Sequence, residues 1–216
     1  VMRRWPRAVA FACGAVFLLV LGAALRPLLL PENHAPAQVL NDTEIGFAQD
    51  MTAHHQQAVQ IVQRLDAGVD PAVARLARQI DHTQQVEIGT MLGWLRLANA
   101  SPMPRHPMAW LPHDADTTAA HHHSPPSAPA DAAMPGLASQ AELDALSAAR
   151  GRDAEVLFLQ LMYRHHQGGI AMAQAADRVI ASGPVKEATR GMIVAQSQEC
   201  GLMGLLLTQR NAQPLP

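Results

Sequence analysis

A segment that recurs within one chain must fold twice, so an internal repeat limits the architecture more than any single motif does. Displacing this sequence against itself by 111 residues aligns fifteen positions with eight identities. Asp42 pairs with Asp153, Glu44 with Glu155, Phe47 with Phe158 and Gln49 with Gln160. Met51 pairs with Met162, His54 with His165, His55 with His166 and Gln56 with Gln167. A displacement of 112 then matches Gln84 with Gln196, Glu87 with Glu199 and Met91 with Met203, so one residue is gained in the intervening turn.

Each copy reads as a helical hairpin. The first helix is expected from about Asp42 to Asp66, and the second opens at Asp70-Pro71, an N-cap followed by proline at the first helical position. In the second copy Asp153 is the expected cap of the first helix, Gly183-Pro184 marks the turn, and the last helix is expected to run to about Arg210. Ser139 and Glu142 have capping-box spacing ahead of Leu143 and Leu146, which predicts a short helix before the second copy. Apolar residues make up 49% of the chain and aromatics only 4%. A composition dominated by Ala, Leu, Gln and Met favours helices over strands.

The fold expected is all-α: two duplicated hairpins, each unable to bury its apolar stripe alone, packing as one four-helix bundle. Residues 41–98 form copy one and 139–210 copy two. Residues 99–138, rich in Pro, His, Ala and Ser, read as an exposed linker. Ahead of them, Arg3, Arg4 and Arg7 precede an apolar stretch from Ala8 to Leu25, so residues 1–31 read as an N-terminal transmembrane helix with its positive end in the cytoplasm. A cleaved signal segment is the rival reading, because Gly22, Ala23 and Ala24 could serve a peptidase. Either way the working part is expected outside the cytoplasm, periplasmic on a single-pass anchor or secreted after cleavage.

The net charge of −2, with no long run of one sign, argues against nucleic acid as a partner. Cys13 and Cys200 form no recognisable disulfide framework or cysteine zinc motif. Metal chemistry would therefore rest on His, Met and carboxylates.

Ile45, Phe47, Met51, His54, His55, Ala58, Val62 and Leu65 recur at three- and four-residue steps, placing the histidines within an apolar stripe. Val156, Phe158, Met162, His165, His166, Gly169, Ile170 and Ala173 repeat the pattern. The partner helices present Leu76, Ile80, Gln84, Glu87, Met91 and Leu95, then Ala188, Met192, Gln196, Glu199, Met203 and Leu206. Buried imidazole and carboxylate must be paired or bind a metal. Two readings follow. Met51, His54, His55, Glu87, Met162, His165, His166 and Glu199 form a metal site, for copper first because thioether and imidazole suit it, and zinc second. Alternatively, Glu87 and Glu199 accept hydrogen bonds from the His pairs and fix the register of a structural or interaction bundle.

Phe47, Phe158, Met91, Met172, Met192 and Met203 read as packing residues, His82 as surface and Cys200 as a buried neutral thiol. Met103, His106, Met108, His113 and His121 to His123 in the linker form either a loose metal-capturing tract or an incidental one.

Met134-Pro135-Gly136, Glu142-Leu143, Asp153 and the run Phe158-Leu-Gln-Leu-Met162-Tyr-Arg-His165-His166-Gln-Gly-Gly-Ile-Ala-Met172 resemble the domain-of-unknown-function 305 (DUF305) family. Copy one follows with Phe47, Met51, His54, His55 and Ala58. The resemblance spans roughly residues 41–210 and implies a ferritin-like helical bundle in a secreted or membrane-anchored protein. It also implies copper binding through Met51, His54, His55, Met162, His165 and His166, without an established enzymatic activity. Few exposed Met-x-x-Met arrangements occur, which weighs against copper storage. A ferritin-type di-iron oxidase would require Glu-x-x-His pairs, and the sequence contains none. The expected role is a non-catalytic binder of a metal ion; a protein partner is not indicated.

Overall fold

The structure, a computed structural model, describes residues 5–29, 39–111 and 134–215. It separates into two compact units, Val1–Gln38 and Val39–Pro216. The first contains helix α1, Trp5–Leu29, in which Phe11, Phe17, Leu18 and Leu19 are exposed. Among the described residues no helix is long and apolar enough to cross a membrane. The spanning helix expected from the sequence is thus not established by the fold, and Arg3 and Arg4 lie outside the described residues.

The second unit is all-helical among its described residues, with α2 (Asp42–Gln63), α3 (Pro71–Leu97), α4 (Gln140–Ala148), α5 (Gly151–Val179) and α6 (Pro184–Gln209). Helices α2 and α3 form one hairpin and α5 and α6 the other, and α2 packs on α5. Local chemistry sets most of the helix starts. Asn41 and Glu44 form a capping box at α2, as do Ser139 and Glu142 at α4. Asp70 Oδ1 accepts from Ala72 N at 2.7 Å ahead of Pro71.

Helix α5 departs from expectation. Asp153 does not cap it: the helix starts two residues earlier, at Gly151, with no side-chain cap from Arg150. Its first amide instead donates to Asp66 Oδ2 at 3.0 Å, so a carboxylate from the α2–α3 turn occupies the positive end of the α5 dipole. For its part, α2 ends at Gln63 rather than Asp66. Beside this contact Glu155 accepts from Asp70 N at 2.7 Å and from Arg210, joining both halves at one end of the bundle.

The segment expected as an exposed linker is covered at Trp110, which is only 9% exposed and meets Phe47 edge-on at 5.5 Å between centroids. Its Nε1–H donates to Asp50 Oδ2 at 2.8 Å, and Met108 N donates to the same oxygen. Residues 101–111 therefore form a strap held over the start of α2.

The core consists of two apolar clusters. One joins the second half of α2 (Ala58, Ile61) to the first half of α5 (Phe158, Leu161, Met162), with Leu76 and Ile80 of α3 and Met203 and Leu206 of α6. The other joins the first half of α2 (Phe47, Met51) to the second half of α5 (Met172, Ala176), with Met91 and Leu95 of α3 and Met192 of α6. Helices α2 and α5 thus run antiparallel. Buried polar residues of all four long helices, the His pairs of α2 and α5 and the Gln and Glu of α3 and α6, fall in the layer between the clusters.

Candidate metal centre

That middle layer contains His54 and His55 from α2, His165 and His166 from α5, Gln84 and Glu87 from α3, and Gln196 and Glu199 from α6. All four imidazoles are fully buried, as are Met51 and Met162, one in each flanking cluster. Adjacent histidines on a helix point about 100° apart, so each pair divides its work. The second of each pair faces its own hairpin partner: His55 Nε2 lies 2.7 Å from Glu87 Oε2, and His166 Nε2 lies 2.7 Å from Glu199 Oε2. The first faces the other copy, and the rings of His54 and His165 stack with centroids 3.9 Å apart and planes inclined by 35°.

The duplication breaks at this stack. His165 Nε2 is 2.9 Å from the carbonyl oxygen of His54, whereas His54 Nε2 is 3.0 Å from Pro135 O. The Pro135-Gly136 turn is seated against α5 at Gly168, where a Cβ would stand 2.0 Å from Pro135 O. Gln57 secures the same turn, exchanging hydrogen bonds of 2.9 and 2.7 Å with the backbone of Ala138. Gln57 and Gly168 are duplicate positions, and their different tasks against this one turn explain why their residues differ.

Carbonyls only accept, so His54 and His165, whose Nε2 atoms face Pro135 O and His54 O, place their proton on Nε2 and leave Nδ1 as a lone pair. None of the four Nδ1 atoms has a hydrogen-bond partner. Burial, reinforced by the neighbouring His55, holds His54 down at about 3. Burial likewise holds His165 well below the ordinary imidazole range, with the neighbouring His54 ring next in effect. Both rings are neutral at physiological pH and can donate their lone pairs.

The structure brings together Met51, His54, His55, Met162, His165 and His166 around one layer. Glu87 and Glu199 sit behind the rings of His55 and His166; Glu87 retains 19% side-chain exposure and Glu199 5%. Among the described residues no group of three or more His, Cys, Asp or Glu forms a conventional metal cage. Such a cage would not include thioether sulfur or amide oxygen, which this layer supplies. Gln84 and Gln196 were visible in the sequence as inward positions, but nothing there distinguished them from packing residues. They are 1% and 2% exposed, with Gln84 Oε1 and both amide atoms of Gln196 unpartnered.

The remaining expectations are met at His82, which is exposed, and at Cys200, which burial pushes up to about 11. Met91, Met172, Met192 and Met203 are core residues. Met103 and His106 border an open cavity of about 500 Å³ between the strap and α2, away from the histidine layer. His113 and His121 to His123 lie outside the described residues.

The family described as "Domain of unknown function (DUF305)" matches residues 44–207. A DUF305 protein from Streptomyces coelicolor is 35% identical with a TM-score of 0.68, over 81% of this chain and 96% of that one. A DUF305 fragment from Deinococcus radiodurans is 28% identical with a TM-score of 0.61, over 78% and 97%. CopM in its Cu(I)-bound form shares the fold at 23% identity and a TM-score of 0.56, over 78% and 98%. Among curated proteins nothing matches the chain.

Proposed function

Because the chain belongs to the DUF305 family, described as a domain of unknown function, we propose a function from the chemistry of the buried layer: a non-catalytic protein that binds copper in the core of its bundle. One observation supports this reading above the others. Four buried imidazoles each engage a carbonyl or carboxylate through Nε2 and keep Nδ1 without a partner. That is the arrangement of metal-binding histidines, whose outer nitrogen is fixed by a second acceptor.

Without an occupant, each buried unpaired acceptor costs about 1–3 kcal/mol, and the fold repeats the loss in both copies. The Nδ1 atoms of His54, His55, His165 and His166 and the sulfurs of Met51 and Met162 would hold the ion, a soft set that suits reduced copper. Glu87 and Glu199, candidate ligands by sequence, would instead orient His55 and His166 from behind their rings. Bound copper would supply only its own coordination chemistry, since the reading involves no catalytic step. CopM, of the same fold, has structures with Cu(I) and with Cu(II) bound.

The di-iron alternative meets a chemical obstacle. It needs carboxylates from several helices free to bridge metals, whereas Glu87 and Glu199 are engaged by histidine, Asp50 by Trp110 and Glu155 by Arg210. The second reading, a metal-free structural bundle, draws on the His55–Glu87 and His166–Glu199 contacts, which tie each hairpin together. Zinc remains the second ion to test. The site is proposed to work outside the cytoplasm behind α1 as a membrane anchor, a placement supported by the apolar run and the preceding arginines.

Reconstitution of untagged protein with Cu(I), Cu(II) or Zn(II), followed by elemental analysis, tests the reading. Wild type is expected to retain copper in stoichiometric amount, and His54→Ala with His165→Ala to lose it. Equal trace metal in both would sink the proposal in favour of the structural bundle.

A further inference from the structure

Gln84 and Gln196 occupy duplicate positions on α3 and α6, three residues before the glutamates that hold His55 and His166. Each is almost wholly inaccessible, and neither amide is satisfied: Gln84 Oε1 and Gln196 Oε1 and Nε2 lack any partner. A buried glutamine in a structural role normally earns its place through its hydrogen bonds. Two copies of the same unsatisfied amide, in the same layer as four unsatisfied imidazole nitrogens, indicate a shared occupant.

The bundle also makes room for one of them. A Cβ at Gly169 would stand 2.4 Å from Gln196 Oε1, so the amide lies directly against the α5 backbone one turn beyond His165 and His166. Because α2 and α5 run antiparallel with His54 against His165, Met51, one turn before His54, falls level with Gly168 and Gly169. Gln196 thus shares its level with the thioether of the other copy. By the same duplication Gln84 belongs at the level of Ala58, opposite Met162.

Resting on the copper reading above, we infer that Gln84 and Gln196 are oxygen ligands of the buried site, and that each half of it is composite, with thioether from one copy and amide from the other flanking the histidines. The donor types divide by hardness. Thioether sulfur prefers the reduced ion, while amide oxygen with imidazole suits Cu(II). Shared imidazoles with one soft and one hard donor in each half allow the same layer to accept either oxidation state.

The test compares wild type with Gln84→Leu/Gln196→Leu and with Met51→Leu/Met162→Leu. Cu(I) and Cu(II) affinities are measured by chelator competition, the Cu(II) spectrum by electron paramagnetic resonance, and metal-free melting temperature by circular dichroism. The glutamine variant is expected to weaken Cu(II) at least tenfold with an altered spectrum, to change Cu(I) by less than about twofold, and to melt no lower than wild type without metal. The methionine variant should show the reverse preference. A glutamine variant that binds both ions as wild type does, or loses both equally, overturns the inference. So does a lowered metal-free melting temperature, which would mark the amides as structural. Should the double variant fail to fold, Gln196→Leu alone is read by the same criteria. Wild type that binds neither ion removes the copper reading itself, a result distinct from selective failure of the glutamine variants.

Discussion

Asp50 and Leu161 stand at duplicate positions, and the contrast shows how one residue redirects a stretch of chain. Leu161 is core. Asp50 is equally buried, and its Oδ2 gathers Met108 N and Trp110 Nε1, drawing the strap onto α2 while Oδ1 goes without a partner. Burial raises its carboxyl above the usual range, and the two donors counteract that in part. Replacing it with the residue of the other copy, Asp50→Leu, removes the acceptor and leaves both donors stranded. The expected result is a loss of about 1–3 kcal/mol in denaturant unfolding. Trp110 emission should shift to the red as the strap lifts; unchanged emission would show that apolar contact with Phe47 suffices to hold it.

Among the elements, α4 depends most on polar contacts, since it is short and buries only Leu143 and Leu146. Its capping-box glutamate also receives Arg164 Nη2 of α5 at 2.8 Å, and that hydrogen bond, with the Ser139 contacts, lowers Glu142 to about 2. A carboxyl whose folded value lies below its ordinary 4.5 stabilises fully above that pH. The contribution is lost as pH falls from 4.5 through about 2. Glu142→Gln keeps a side chain able to close the capping box and removes only the charge. Its stability should fall below wild type at pH 7 and converge with it near pH 2, as followed by urea melts across that range. A gap independent of pH would assign the role of Glu142 to the box alone.

The helix ends show the duplication reaching further than the matched core. Asn99 and Asn211 both take a left-handed conformation, φ 52°, and Ala100 N and Ala212 N reach back to Leu95 O and Leu207 O. These are paired Schellman endings with asparagine at the left-handed position. Beyond them Gln49 and Gln160 donate to Ser101 O and Gln213 O, each at 2.7 Å. The sequence contained the signal, Asn-Ala-x-Pro at both places. No apolar period continues there to extend the alignment.

For the whole molecule, the polar layer divides one core into two apolar clusters, and filling that layer should stabilise all four long helices together. Ligand that binds only the native state at one hundred times its dissociation constant adds about 2.7 kcal/mol. In a domain of this size that corresponds to a rise in melting temperature of roughly 5–10 °C. Copper titration during thermal melts should show this rise in wild type and none in the His54→Ala/His165→Ala protein. A melting temperature indifferent to copper at saturating concentration would favour the bundle as a purely structural module.

Sequence by itself determined the helical class, the two hairpins, and the inward face bearing Met, the His pairs and Glu, because period and repetition are written in residue order. Which imidazole meets which acceptor was decided only in three dimensions. Periodicity places a ring on a face, but the partner of His54 is Pro135 O, in a turn ahead of the second copy, and the partner of His165 is the His54 carbonyl. The separate tasks of His54 and His55, the cap that Asp66 gives to α5, and the unfilled amides of Gln84 and Gln196 share that origin: each depends on which residues of distant segments the antiparallel crossing of α2 and α5 brings level.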